Sequence, residues 1–203
     1  MQSMMVWALA ALASFALAGF RGNNNQPQTR PGKMVGGKPV ATQTQTKTIT
    51  LESSAFKNGQ AIPDEYAKQH GMSPPLKWSG VPKEAKELAL IMHDPDAPVG
   101  DWTHWVIYSI PPQTAGLKEG MPTDPQLDEP QGAKQGVNDY DQHKMVGYGG
   151  PQPPSGKHRY FFELYALDTE LDLPAKATRQ QLEDAMKEHV IARGELMGTY
   201  AAQ

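Results

Sequence analysis

Cysteine is absent from the 203-residue chain. That excludes disulfides, thiolate metal sites and a cysteine nucleophile together, while leaving the redox compartment open. Strong charge of either sign is also missing: 19 Lys and Arg stand against 22 Asp and Glu, a formal net charge of −3. With no basic cluster, the chain lacks the electrostatic footprint of a nucleic-acid binder or of a protein held on an anionic membrane surface. No His-x-His, His-x3-His or HExxH spacing occurs, and His93 and His104 fall on separate segments, so no metal is expected. No serine sits in a G-x-S-x-G elbow, and Ser155 belongs to a Pro-Ser-Gly turn. No cofactor is implied. No stretch reaches the ~20 apolar residues of a membrane-spanning helix, and internal repeats are lacking.

What is plentiful is Gly, at 19, and Pro, at 18, which favours turns and extended segments over helix bundles. Val6 to Phe20 is an apolar run followed by Arg21, and Ala16-Leu17-Ala18 fits a small-x-small cleavage site before Gly19. No Lys or Arg precedes the run, so only the terminal amine supplies positive charge. The reading is a signal peptide over 1–18 and export, most simply to the periplasm, with a membrane anchor over 4–20 as the alternative. Residues 19–47 are Asn, Gln, Thr, Pro and Gly with almost nothing to bury, a composition that cannot offset its ordering entropy, so they read as a disordered linker. Residues 48–203 remain for one folded domain.

Within that domain Thr48 to Glu52 alternates, as a half-buried strand does. Leu76 to Ser79 lies in a short strand segment fenced by turn formers, and Leu88-Ala89-Leu90-Ile91-Met92 is an uninterrupted apolar run that reads as a fully buried strand. Thr103 to Ile110 is another strand, with His104, Val106 and Tyr108 on one face by period two. His158 to Leu167 is the longest, with His158, Tyr160, Phe162 and Leu164 sharing a face. Thr178 and Gln181 match a capping box; Leu182, Ala185, Met186, His189 and Val190 follow at helical spacing, with Gly194 placed as a C-terminal cap. Strands first and a helix last predict a mainly β fold: an antiparallel two-sheet β-sandwich with peripheral helices, one of them C-terminal.

Two loops carry the chemistry. The first, Asp94-Pro95-Asp96-Ala97-Pro98 through Trp102 to His104, leaves the buried strand stiffened by proline. The second runs from Gly149-Gly150-Pro151 through Pro153-Pro154 to His158-Arg159-Tyr160. If their strands are neighbours, both histidines meet at one end of the sheet. A carboxylate from Asp94 or Asp96 beside an imidazole fixes its tautomer and favours a charged donor. Two such imidazoles and the Tyr160 hydroxyl would suit phosphate, and a carboxylate at the rim could hold an attached ammonium. Arg159, on the opposite strand face, is expected to pair with an acid such as Glu163. Trp78 and Trp105 read as core.

Taken together, Ser73-Pro74-Pro75-Leu76-Lys77-Trp78, Asp94-Pro95-Asp96-Ala97-Pro98, Trp102-Thr103-His104-Trp105, Gly147-Tyr148-Gly149-Gly150-Pro151, His158-Arg159-Tyr160 and Gly194-Glu195-Leu196-Met197-Gly198-Thr199-Tyr200 resemble the phosphatidylethanolamine-binding protein family in its bacterial Raf-kinase-inhibitor-like branch. The resemblance implies a two-sheet fold with a small anion-accepting pocket lined by Asp94, Pro98, Trp102, His104, Pro154, His158 and Tyr160, and no general catalytic activity. The chain's own loops add Asp96 and Gly150 to that set. The resemblance further implies phosphate or a phosphoethanolamine head group as ligand, a kinase or protease as a partner to be inhibited, and a cis Ala97–Pro98 bond. Gln152 stands where bacterial relatives usually carry Cys, and the Pro154–His158 loop is shorter than usual. A hydrolase using the Asp/His cluster is the rival reading, for which the sequence offers no activated nucleophile. An inhibitor would need an exposed loop, and Pro112 to Asn138 is long enough.

Overall fold

The computed structural model describes residues 47–68, 71–140 and 145–203. The leader read over 1–18, the linker up to residue 46, His70 and His143 lie outside them. Among the described residues no helix is long and apolar enough to cross a membrane.

The apolar run becomes the centre of strand β4 (Glu87–Asp94), and Leu88 to Met92 are all completely buried. Such a strand needs cover on both faces, and it has it. On one side the sheet packs against Ile49, Leu51, Leu76, Trp78 and Leu117, which belong to or adjoin a second sheet. On the other, Ala89, Ile91, Val106 and Tyr108 meet Leu182 and Met186 of helix α1 (Arg179–Met186). The layers are therefore small sheet, large sheet, helix, and the lack of alternation in residues 88–92 follows from burial on both faces.

The small sheet joins β2 (Thr50–Glu52), β3 (Leu76–Ser79) and β6 (Gly116–Leu117), all antiparallel. In the large sheet β4 is flanked antiparallel by β5 (Trp102–Ile110) and β8 (Lys157–Leu167). β7 (Lys134–Gln135) covers the far edge of β5, and β9 (Val190–Ala201) pairs with β8. β1 (Lys47–Thr48) adds to β9 in parallel, so the six-stranded order β1-β9-β8-β4-β5-β7 is not wholly antiparallel as expected.

The capping box of Thr178 and Gln181 is present, each residue bonding the other's backbone N–H. The helix it starts ends at Met186, however, and the chain closes on a strand rather than a C-terminal helix. Val190 pairs with Leu167 and Gly194 with Leu164, so both lie in β9. The helical spacing ran on past the true end because Val190 serves a different layer: a ladder along the whole of β8 outweighs one more helical turn. His189, left between the two elements, is exposed and pairs with Asp168 at 2.9 Å.

Candidate functional site

Antiparallel pairing decides where the chemistry gathers. β4 runs opposite to both neighbours, so its C-terminal end, at Asp94, meets the N-terminal ends of β5 and β8. His104 near the start of β5 and His158 near the start of β8 are therefore brought to the same edge. Their strands are not adjacent; β4 stands between them and contributes Asp94, and the two histidines still meet at one end of the sheet.

A second expectation is corrected by a β-bulge. Met92 pairs with Trp105 but His93 pairs with Thr103, so His104 is the extra residue on β5. A bulge breaks the alternation of faces. His104 consequently turns away from the Val106 and Tyr108 side and sets its ring against Tyr160, at 5.1 Å between centroids. The Ala97–Pro98 bond is trans: among the described residues the cis peptide is Glu129–Pro130. The bulge, and not a cis proline, orients the histidine.

The result is a cavity of about 220 Å³ lined by Asp94, Ala97, Pro98, Val99, Trp102, His104, Tyr140, Gln152, Pro153, Pro154, His158 and Tyr160. Seven of the nine residues singled out in the sequence line it. Asp96 and Gly150 do not. Asp96 turns outward to take Arg159 through both oxygens, at 2.8 and 2.6 Å, and this carboxylate is the partner of Arg159 in place of the expected Glu163. That pairing lowers the Asp96 carboxyl to about 2. Glu163 is met instead by Arg193. Gly150 is needed for close backbone approach: a Cβ there would lie 2.4 Å from the Tyr66 carbonyl oxygen.

At the floor, Asp94 is 3 %, His104 2 % and His158 7 % exposed, so their partners decide their states. Asp94 Oδ2 accepts from His158 Nδ1 at 2.7 Å, while Oδ1 accepts the Asp96 N–H at 2.8 Å and pins the loop. His104 Nδ1 lies 2.7 Å from the Gly149 carbonyl oxygen, and the Gly149 N–H returns a bond to the His104 carbonyl at 2.9 Å. A carbonyl only accepts, so the proton of neutral His104 is on Nδ1 and Nε2 is left as an acceptor. Burial lowers the His104 pKa to about 4, against the smaller opposing pull of Gly149, Asp94 and Asp139. This overturns the expectation that both imidazoles are charged donors near neutrality; the penalty for charge in a closed aromatic setting outweighs the nearby carboxylates.

Tyr160 is fully buried, and its hydroxyl has no hydrogen-bond partner among the described residues. Burial, with the Asp94 charge close by, raises its pKa well above the usual value, so it remains a neutral hydroxyl. Tyr140, missed in the sequence, closes the wall. Its ring stands edge-on to His104 and Trp102, and its hydroxyl donates to the Gly150 carbonyl. The available signal was an aromatic residue isolated in a polar, Gly-rich loop, held by an Asn138 side chain that accepts the Tyr140 N–H at 3.1 Å. Gln152 and Pro153, which the sequence places in the second loop without a lining role, also face the cavity. The long segment Pro112 to Asn138 is no projecting loop: Leu127, Ala133, Gln135 and Asn138 within it are buried. Gln135 accepts from Trp105 Nε1 at 2.7 Å and fastens it to the core. Among the described residues no three His, Asp or Glu side chains are grouped to hold a metal ion.

An apolar-walled cavity with few polar groups at its floor, set at the strand ends of a β-sandwich, defines a ligand-binding β protein. The profile of the phosphatidylethanolamine-binding protein family matches residues 52–201, and the chain belongs to that family. It is 50% identical over 153 residues to a UPF0098 protein of Methanothermobacter thermautotrophicus, covering 75% of this chain and 98% of the relative. A putative phosphatidylethanolamine-binding protein homolog, CT736, from Chlamydia trachomatis superposes with a TM-score of 0.68 at 43% identity, over 78% of this chain and 100% of that one. E. coli YbcL, described as a new member of the mammalian PEBP family, gives a TM-score of 0.69 at 30% identity over 76% and 99%.

Proposed function

We propose that the chain is a non-catalytic binding protein whose cavity takes a small phosphate-bearing anion, free or as a phosphoethanolamine-type group. The observation that carries this reading is the buried Asp94–His158 pair. With Nδ1 committed to the carboxylate, a proton on His158 Nε2 gives a charged donor at the floor while the pair itself stays neutral. The unpartnered Tyr160 hydroxyl is a second donor in the same wall. Proline and aromatic rings exclude water around them, which strengthens both contacts. A hydrolase would need an activated nucleophile, and among the described residues no side-chain hydroxyl is hydrogen-bonded to His104 or His158.

Calorimetric titration with inorganic phosphate and phosphorylethanolamine, each with and without chelator, tests the reading. His158→Ala should weaken binding roughly 10- to 100-fold, the loss of one hydrogen bond to a charged group. Equal affinity in wild type and variant would put the ligand elsewhere. Turnover of a phosphoester that disappears in His158→Ala would replace the binding reading with the hydrolase.

A further inference from the structure

The lip of the cavity is held at both ends by carboxylates, and the outer hold uses a histidine that plays no part in the cavity itself. Ala97, Pro98 and Val99 line the mouth, and Val99 is 76% exposed, so the loop that carries them projects and is placed by its ends. At its start Asp96 is fixed by Arg159 and by Asp94. At its end Asp101, the residue before Trp102, reaches the outer face of the large sheet. There it meets His93 Nδ1 at 2.6 Å and Arg179 of α1 at 2.9 Å. We infer that His93, although outside the cavity, is a positioning residue for its ligand: with its proton it holds Asp101 and the lip, and affinity for a phosphate-bearing anion falls when that proton is lost. This rests on the anion-binding reading above.

The His93 side chain is 11% exposed, and Phe161 stacks on its ring at 5.6 Å between centroids. Nε2 is buried without a hydrogen-bond partner among the described residues, yet Glu163 lies 3.7 Å from it. Both ring nitrogens therefore face carboxylates. A neutral imidazole has one N–H, so whichever nitrogen keeps it, the other sets a lone pair against a carboxylate; a charged ring donates to both. The groups around it are themselves shared. Glu163 on β8 is also met by Arg193 of β9 and by the Tyr165 hydroxyl, and Arg179 divides itself between Asp101 and Glu183. Burial disfavours charge on His93, and Arg179 adds to that, but the two carboxylates prevail and raise its pKa. Loss of the proton leaves Asp101 with Arg179 as its one charged partner among the described residues. It also removes a positive charge from the residue next to Asp94 on β4. That charge is felt at the cavity floor, where it opposes the charging of His104. Both changes weaken the hold on an anion.

The probe is glycerophosphorylethanolamine, titrated calorimetrically into the full-length chain from about pH 5.5 to 8.5. Its diester phosphate has no proton to lose in that range and its amine stays charged, so the pH profile belongs to the protein. His158 is present in wild type and variants alike, so its own titration cancels in the comparison. Wild-type affinity should fall roughly 3- to 10-fold as pH rises through the raised His93 pKa, the worth of one ordinary hydrogen bond. His93→Gln keeps a donor toward Asp101 without the charge; it should bind as the deprotonated wild type does and show a flatter profile. Asp101→Asn, which removes the charge that His93 holds, should flatten it as well. By linkage, saturating probe should raise the His93 pKa by about 0.5 to 1 in the wild type, followed by NMR of the imidazole. That measurement needs no variant, so it decides the matter even if a substitution unfolds the chain. Parallel profiles in wild type and His93→Gln, with or without a uniform loss of affinity, would overturn the inference and leave the anion reading standing. So would a His93 pKa that the bound probe leaves unchanged. No binding of the probe by the wild type at any pH would overturn both.

Discussion

Replacing Asp94 with alanine tests how far one carboxylate organises this end of the sheet. Its two oxygens are used separately, Oδ1 accepting the Asp96 N–H at 2.8 Å and Oδ2 accepting His158 Nδ1 at 2.7 Å. The first is an ordinary side chain to backbone bond, worth about 0.5–1.5 kcal/mol, and the second a charge-assisted one, worth about 1.5–3 kcal/mol. Their loss should cost about 2–4 kcal/mol, since the His158 donor stays buried without a partner. For a domain of this size about 1 kcal/mol moves the melting temperature by 2–4 °C, so a fall of roughly 4–16 °C is expected by calorimetry.

Asp94→Asn separates the two bonds. The amide oxygen can keep the Asp96 N–H, but the amide nitrogen then faces Nδ1, and the imidazole must accept there instead of donating. The stability loss should be smaller than for alanine, whereas phosphate affinity should fall nearly as far, because an amide cannot offset an imidazolium. A double-mutant cycle of Asp94→Ala with His158→Ala isolates the pair, and a coupling of about 1.5–3 kcal/mol is expected. Additivity to within about 0.5 kcal/mol would refute the claim that the two side chains act together.

Two further outcomes follow from groups around the cavity. His93 sits on the opposite face of β4 from Asp94, with Nδ1 2.6 Å from Asp101 and Nε2 3.7 Å from Glu163. Burial opposes its charge, but the two carboxylates outweigh it and raise its pKa above the ordinary 6.5. A raised pKa contributes stability that is complete below 6.5 and is lost as pH rises through the folded-state value. The melting temperature should therefore fall between pH 6 and 9 by more in the wild type than in His93→Gln, and parallel curves would show that His93 is not the group. Gly150→Ala should lower the melting temperature by roughly 2–12 °C, an overpacking cost of about 1–3 kcal/mol, since its Cβ would meet the Tyr66 and Lys68 carbonyl oxygens at 2.4 and 2.6 Å. An unchanged melting curve would mean that the two segments part without cost.

Much of this fold was legible because burial leaves a plain trace in the order of residues. β4 announced itself by an apolar run without alternation, β8 by alternation from His158 to Leu164, and α1 by its capping box. What failed were inferences about the far ends of local patterns. Helical spacing carried the helix past Met186 because nothing within the segment reveals that Val190 pairs with Leu167. Arg159 lies on the outer strand face, as its alternation implied, yet its partner is Asp96 in a loop 63 residues earlier; the choice among nearby acids depends on where that loop folds back. Tyr140 was missed for the same reason: its place in the wall is set by an Asn138 turn and a bond to Gly150, neither of which leaves a period.

His104 shows the limit most clearly. Strict period two puts it beside Val106 and Tyr108, which pack beneath α1, and there its imidazole would be buried among apolar side chains with no route to the cavity. A single extra residue between the Met92–Trp105 and His93–Thr103 pairs reverses its direction and shifts the register of the ladder by one residue. The reversal brings Nδ1 to Gly149 and the ring between two tyrosines, and burial there makes it neutral. The chemical difference between the two floor histidines thus arises from backbone geometry. His158 stays in an unbroken ladder and meets the carboxylate at the end of the neighbouring strand, whereas His104 is displaced by the bulge onto a loop carbonyl. A sequence reading that places both histidines at one site still cannot assign their protons until that bulge is known.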